Sequence, residues 1–434
     1  MMNVLFTHTP LVFLVASFWR DEAFSYLLAR MPIISLLSTT AHDSNPPLYY
    51  LLLKAWMFFF GKSELALRSL SLIFYWGTVF FIYKILHEHF KFSPRKSLAY
   101  LLFVLLNPLL HYYAFEARMY SMIAFFGAAL FYYLLKKNYR SYAVVAFLGL
   151  FTHYFLALVL LFHVCYVFFI TRHEFKSFIR PLLRLFVWYI PWMVIVLLSR
   201  PPVGNQFWIV SPTWNEIFFV PAIILTGFEK NTWMEFPYLI HVSLVLWGLL
   251  LSSLYFAFHA NKNNKKDLIL FGGWAVLIPL FVFLISFWKP VFLPRYLIFS
   301  SVGMTLFVIW AIEMIGNKYI RVGMLLLISA ILVVYSNGQI LTREKAPLKK
   351  TFASIRSKLL KNDVVYVTNE YDFHPAQYYL PDTRIYIYKK TYEELPWYVG
   401  KVLIPKESIQ SSLPTYPSRA FILSDGVYTI QSSR

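Results

Sequence analysis

The 434-residue sequence has one cysteine, few charges and little glycine, and each scarcity removes a class of answer. Cys165 sits alone in an apolar run, so neither an intrachain disulfide nor a cysteine metal cluster can form. Charged residues are 14% of the chain, well below the roughly 25% of a soluble domain. With 59% apolar and 20% aromatic residues, a soluble enzyme and a disordered chain are both excluded. Glycine, at 15 residues, is scattered, and no internal repeat, Gly/Ser linker or low-complexity tract is visible. The composition is that of a polytopic membrane protein. Its net charge of +19 therefore need not mean nucleic acid, and no nucleic-acid partner is expected.

A transmembrane helix needs roughly 20 apolar residues. Eleven spans are predicted, near 2–19, 69–86, 98–111, 119–135, 142–152, 155–171, 185–199, 238–258, 268–288, 296–315 and 321–336. The stretch 2–19 lacks a basic leader and a small-residue cleavage site, and reads as a retained span. Segments 84–97, 136–141, 171–184, 259–267 and 316–321 hold 16 Lys/Arg in 49 residues. The opposite-face segments hold 10 in 106. The first set is expected to be cytoplasmic, which puts the N-terminus inside and the C-terminus outside a multi-pass cell membrane protein. Eight acids fall on the outer face, Asp21, Glu22, Asp43, Glu64, Glu116, Glu216, Glu229 and Glu235, against Glu88, Glu174 and Asp267 on the inner one. Acids contribute little to topology, so this imbalance points to chemistry on the outer face.

Two domains are expected: a transmembrane body over 1–336 and a small outer α/β domain over 337–434. In the latter, 363–370, 383–389 and 419–424 read as strands and 347–361 as an amphipathic helix.

The first outer loop opens with Asp21 and Glu22 at the mouth of the first span. By themselves they could simply mark the membrane boundary. The loop continues with 42–69, which has a Pro pair, thirteen mostly apolar residues interrupted by Lys54, and a stop at Gly61. That stretch is too short to span and fits an interfacial helix with Tyr49, Tyr50 and Trp56 at headgroup depth. Such a loop can roof a cavity that faces lipid. The second loop adds Glu116 and Arg118. These could be a surface ion pair of little worth, or a further carboxylate with a guanidinium suited to phosphate. His153 reads either as an interfacial histidine or as a site residue. Arg295, on the outer side before span ten, reads as a snorkelling anchor or a lipid-phosphate ligand. Arg68 reads as a structural cap. Trp208 or Trp214, in 200–237, could stack on a sugar, and that stretch could act as a lid.

Taken together, DEAFSYLLAR (21–30), SNPPLYYLLLKAWMFFFGKSELALRSLS (44–71) and YYAFEARMYS (112–121) resemble the GT-C membrane glycosyltransferases. Within that group the nearest likeness is to the protein O-mannosyltransferases and the lipid A aminoarabinose transferases of bacterial or archaeal type. THYF (152–155), FLPRY (292–296) and DVVYV (363–367) add weaker support.

The resemblance implies a polyprenyl-phosphate sugar donor and a glycan, lipid or protein acceptor, whose hydroxyl attacks the anomeric carbon with inversion. It implies Asp21 as base, with Glu22 and Glu116 as further catalytic carboxylates or as ligands of a divalent cation, Mg²⁺ or Mn²⁺. Arg118, Arg295, Lys54 and Tyr296 are the expected contacts to the donor phosphate. His42, Asp43, Asn45, Tyr120 and His153 are the expected contacts to substrate. Asn45 stands where many relatives have His, which leaves acceptor and metal details open. A secondary transporter or lipid-linked-sugar flippase is the competing class. It would place ionisable residues at mid-membrane in repeated, broken helices, whereas the acids here cluster in outer loops. A structural subunit would leave the acidic loop pair without a role.

Overall fold

The computed structural model describes residues 8–43, 45–199, 208–229, 238–259, 262–343 and 345–434. Six helices there are long and apolar enough to cross a membrane: Glu64–His89, Arg172–Ser199, Leu239–Ala257, Asn264–Ile285, Pro294–Glu313 and Lys318–Thr342. Pro94–Leu105 and Pro108–Ala114, bent by 76°, make a seventh if counted as one span.

The other expected spans are shorter. Tyr120–Leu135 has 16 residues, Tyr139–Leu150 has 12 and Leu156–Ile170 has 15. At 1.5 Å per residue these reach about 18–24 Å, short of a roughly 30 Å hydrocarbon core. In the expected first span, residues 1–7 lie outside the described residues, and the described part includes the four-residue helix Val12–Val15.

By internal contacts the chain divides into two units. A helical unit comprises Met1–Val12, Ser69–Val194 and Ile209–Arg343; a mixed unit comprises Phe13–Arg68, Ile195–Trp208 and Glu344–Arg434. The first-loop segment thus groups with the C-terminal segment.

The helical unit is built around Ile298–Glu313, nearly all of whose residues are buried. A helix apolar on every side belongs inside a bundle. Tyr120–Leu135 approaches it closely because Gly127 faces Phe299, where an added Cβ would come within 2.7 Å. The chain breaks at Asn107-Pro108 for local reasons. The Asn107 side chain accepts the Leu110 N–H, and Pro108 occupies the first helical position. Asn107 also donates to Ser301 Oγ at 3.0 Å, so the break is tied to the central helix.

In the mixed unit, the first loop forms Arg20–Arg30, Ile33–Ala41 and Leu48–Phe60. The last ends at Gly61, whose φ of +83° suits a residue with no Cβ. Phe58, Phe59 and Phe60 are exposed, as an interfacial helix requires. Tyr49 and Tyr50, however, are fully buried and pack against protein, so they do not present their rings to lipid headgroups. The sheet has order β3-β2-β1-β4-β5, with β1 Val364–Val367, β2 Arg384–Tyr388, β3 Ile409–Gln410, β4 Ala420–Ser424 and β5 Val427–Gln431. The first four are parallel, and β5 returns antiparallel to β4. Val365, Val367, Phe421 and Leu423 pack on one face with Phe352 and Ile355 of helix Leu348–Lys358 and Phe373 of Phe373–Tyr379.

Candidate functional site

Within the mixed unit, Asp21 and Glu22 share the first turn of Arg20–Arg30, where carboxylates complement the helix dipole. Their surroundings differ. Asp21 is partly exposed, and its Oδ1 accepts from Arg20 at 2.8 Å. Glu22 is wholly buried. Its Oε1 and Oε2 each accept from Arg68 at 2.7 Å, and Oε2 accepts from Lys345 at 2.8 Å. Burial alone would raise the Glu22 carboxyl, but the Arg68 and then the Lys345 charge outweigh it and hold the group at about 2. Arg68 further donates to the carbonyls of Leu14, Ala16 and Ser17. Glu22 is therefore a structural clamp in geometry, and Arg68, read from the sequence as a cap or anchor, ties Glu22 to the carbonyls of residues 14–17.

A second tie joins the loop to the C-terminal segment of the same unit. Glu64 is bonded by Lys349 and by the Tyr379 hydroxyl, which in turn accepts the Phe18 N–H at 2.8 Å. Lys54 donates to the carbonyls of Ala29 and Met31, at 3.3 and 2.7 Å, closing the end of Arg20–Arg30. The exposed His42 Nδ1 bonds the Ser38 carbonyl, and Asn45 Nδ2 donates to Asp43 Oδ2 at 3.2 Å.

The helical unit carries the second constellation. After Ala114 the chain leaves the helix and turns tightly, the Arg118 N–H reaching the Glu116 carbonyl at 2.7 Å. Ser71 Oγ donates to the Arg118 carbonyl and Ser121 Oγ to that of Tyr113, which fixes the turn. Glu116 and Arg118 are consequently both buried, not the surface ion pair of the simpler reading. The Arg118 guanidinium lies 5.9 Å from the Tyr120 ring, and Tyr120 stacks at 6.5 Å on Tyr296. His153 lies 5.5 Å from that same Tyr296 ring.

His153 occupies the break between Tyr139–Leu150 and Leu156–Ile170. Its Nδ1 accepts the Phe155 N–H at 3.2 Å, which assigns the proton of the neutral ring to Nε2. Burial, with a smaller push from the Arg118 cation, lowers its pKa to about 3. It is a neutral hydrogen-bond donor at any physiological pH.

Arg295, beside Tyr296, faces Glu229 at 3.9 Å; Arg343 faces the same carboxylate at 3.8 Å and lies 4.3 Å over the Tyr112 ring. Tyr113 is within electrostatic reach of Glu229, Arg295, Arg343 and Glu116. The structure thus gathers Glu116, Arg118, Tyr120, His153, Arg295 and Tyr296 into one buried region, with Glu229 and Arg343 added. Glu229 had appeared only as one outer acid among eight, and Arg343 had not been singled out at all. Glu235 and the rest of 230–237 lie outside the described residues, as do residues 200–207 of the expected lid. The described part of that stretch includes Trp214, which stacks on Phe287 at 4.3 Å.

Three guanidiniums, a neutral imidazole N–H and several phenols make a region fitted to hold a phosphate and neighbouring hydroxyls. A metal is less well served. Among the described residues no three His, Cys, Asp or Glu side chains converge, and both Glu22 oxygens are engaged by cations. Glu313, the last residue of Pro294–Glu313, is bonded by Lys96 at 2.6 Å and by Tyr100 and faces Arg321 at 3.6 Å, which makes it a tie between helices.

No protein-family model matches the sequence, and no curated protein matches it. Solved structures that resemble the chain include two of ArnT from Cupriavidus metallidurans. The one bound to undecaprenyl phosphate aligns over 97% of this chain and 93% of its own, at 13% identity and a TM-score of 0.59. The apo structure aligns over 97% and 92%, at 12% identity and a TM-score of 0.51. At such identities the likeness is one of fold: the chain has the ArnT-like architecture that its resemblance to the GT-C glycosyltransferases implied.

Proposed function

We propose that the protein is a membrane glycosyltransferase that moves a hexosyl or pentosyl group from a polyprenyl-phosphate donor to an acceptor hydroxyl. One observation carries the reading: the buried gathering of Arg118, Arg295 and Arg343 with His153 and Tyr296 in the helical unit. A related support is that the ArnT of like fold was crystallised with undecaprenyl phosphate.

In this reading the donor phosphate lies against the guanidiniums. They are fixed by Glu229 and by ring contacts before substrate arrives, so little reorganisation is needed as charge builds on the departing oxygen. The His153 Nε2–H donates to a phosphate or sugar oxygen. Asp21 is the proposed base, taking the acceptor proton as the new bond to the anomeric carbon forms and the bond to phosphate breaks. Attack opposite the leaving group inverts the anomeric centre through an oxocarbenium-like transition state. The products are the glycosylated acceptor and the polyprenyl phosphate. The distribution of Lys and Arg supports an extracytoplasmic site in a cell membrane. No step is assigned to a metal.

The test is turnover by purified protein in lipid, given a panel of radiolabelled polyprenyl-phosphate sugars and acceptor glycans, lipids and peptides. Sugar transfer or slow donor hydrolysis, lost in Asp21→Asn, supports the transferase. Tight donor binding without turnover under any acceptor would favour a flippase.

A further inference from the structure

A cavity of about 320 Å³ lies in the helical unit between Leu156–Ile170 and Phe175–Ser199, and none of the residues assigned to the donor lines it. Ala157, Leu161 and Val164 form one wall; Ile179, Leu183 and Phe186 form the other. Leu161 and Leu183 are 54% and 59% exposed, so the groove opens outward.

The second helix also carries Lys176, Arg180 and Arg184, all exposed. Residues four apart share a helix face, and the three make a cationic row about 12 Å long. The nearby acid Glu174 is engaged by Lys137 at 2.7 Å and by the Tyr139 hydroxyl. Among the described residues, no carboxylate lies within ion-pair distance of Lys176, Arg180 or Arg184.

The row lies in the segment 171–184, which is expected to be cytoplasmic, just before the most apolar part of this membrane-capable helix. Cations at such a boundary stand level with lipid headgroups and attract their phosphates. A lipid with a phosphate at one end and an acyl chain at the other answers both features, and basic pockets between transmembrane helices bind anionic headgroups in this manner.

We propose that this groove is a binding site for an anionic phospholipid, its phosphate on Lys176, Arg180 and Arg184 and one acyl chain between the two helices. The volume holds part of one acyl chain, and none of the guanidiniums assigned to the donor phosphate lines it. Zwitterionic phospholipid, whose headgroup brings its own cation, is a poor occupant.

The experiment uses delipidated full-length protein in detergent, titrated with palmitoyl-oleoyl phosphatidylglycerol or phosphatidylcholine and read by native mass spectrometry. The wild type should retain phosphatidylglycerol in preference to phosphatidylcholine. The triple variant Lys176→Gln, Arg180→Gln, Arg184→Gln should weaken that retention by roughly tenfold or more. Because those charges also bear on membrane orientation, Ala157→Phe is the second variant: it fills the groove, leaves every charge in place, and should weaken retention too. Equal binding of the two lipids would overturn the proposal, as would wild-type retention in Ala157→Phe. So would displacement of phosphatidylglycerol by an equal concentration of undecaprenyl phosphate, which would make the groove a donor site.

Discussion

Replacing Arg68 by Met removes the cation around which the start of the mixed unit is organised. The side chain is fully buried, makes two 2.7 Å bonds to Glu22, and donates to three carbonyls of residues 14–17. Two estimates of its worth can be compared. Breaking a buried ion pair by deleting one partner costs about 3–5 kcal/mol, because the other charge is left in low dielectric. Independently, Glu22 falls from 4.5 to about 2, roughly 3 kcal/mol at 1.36 kcal/mol per unit. Both figures are large beside a typical folding stability of about 5–15 kcal/mol.

The pH dependence has a definite sign. A carboxyl depressed in the folded state contributes stability above its unfolded pKa, and loses it as pH falls through the folded value. Wild-type protein should therefore lose stability between about pH 5 and pH 2, and Arg68→Met should lose much less over that window. The assay is thermal or denaturant unfolding of purified protein in lipid, followed by proteolysis of the first loop. The double variant Glu22→Gln with Arg68→Met should recover part of the loss, since the buried carboxylate goes with the guanidinium and only Lys345 then loses its ion-pair partner. Wild-type stability in Arg68→Met, or a double variant as weak as the sum of the singles, would refute the clamp.

Three further outcomes follow from the geometry. Asp21→Asn should abolish sugar transfer while leaving the unfolding midpoint unchanged; near-normal turnover would remove Asp21 as base. Gly400→Ala should destabilise the mixed unit by at least about 1–2 kcal/mol, the cost of a left-handed non-glycine residue. Its φ is +78°, and the new Cβ would meet His374 Nε2 and Phe24 Cδ2 at 2.7 Å; an unchanged midpoint would contradict that packing. Asp372 is raised to about 6 by burial and secondarily by Asp425, so its ionisation destabilises the fold as pH rises from about 4 through 6. Asp372→Asn should thus stabilise the full chain at pH 7 and not at pH 4, and equal effects at both would refute the assignment.

How far the sequence went depended on the kind of signal each region carries. Apolar runs of helical length located the six long spans, because a helix that faces lipid or protein on every side has no polar face to confuse the reading. The shorter ones carry a weaker signal: Tyr139–Leu150 is apolar but only 12 residues long, and among the described residues six helices, or seven with the bent pair, are long enough to cross. Strands β1, β2 and β4 and the helix after Pro347 were visible as local patterns. β5 was missed although Asp425-Gly426, with φ of +49° and +79°, is the turn that a two-residue hairpin requires.

The candidate site divides in the same way. Arg118, His153, Arg295 and Tyr296 stood out because charge or imidazole at a span boundary is conspicuous. Arg343 did not, since a basic residue after a last span looks like any boundary charge. Glu22 looked equivalent to its neighbour Asp21. Only the fold separates them, by turning one carboxylate into Arg68 and Lys345 and leaving the other partly exposed.

The measurement closest to the central claim is equilibrium binding of undecaprenyl phosphate to purified protein in detergent, wild type against Arg295→Ala. A charge-assisted hydrogen bond is worth about 1.5–3 kcal/mol, so the variant should bind roughly 10- to 150-fold more weakly, and uncharged polyprenol should bind weakly to both. Equal affinity of wild type and variant for undecaprenyl phosphate would contradict the placement of the donor phosphate among these guanidiniums.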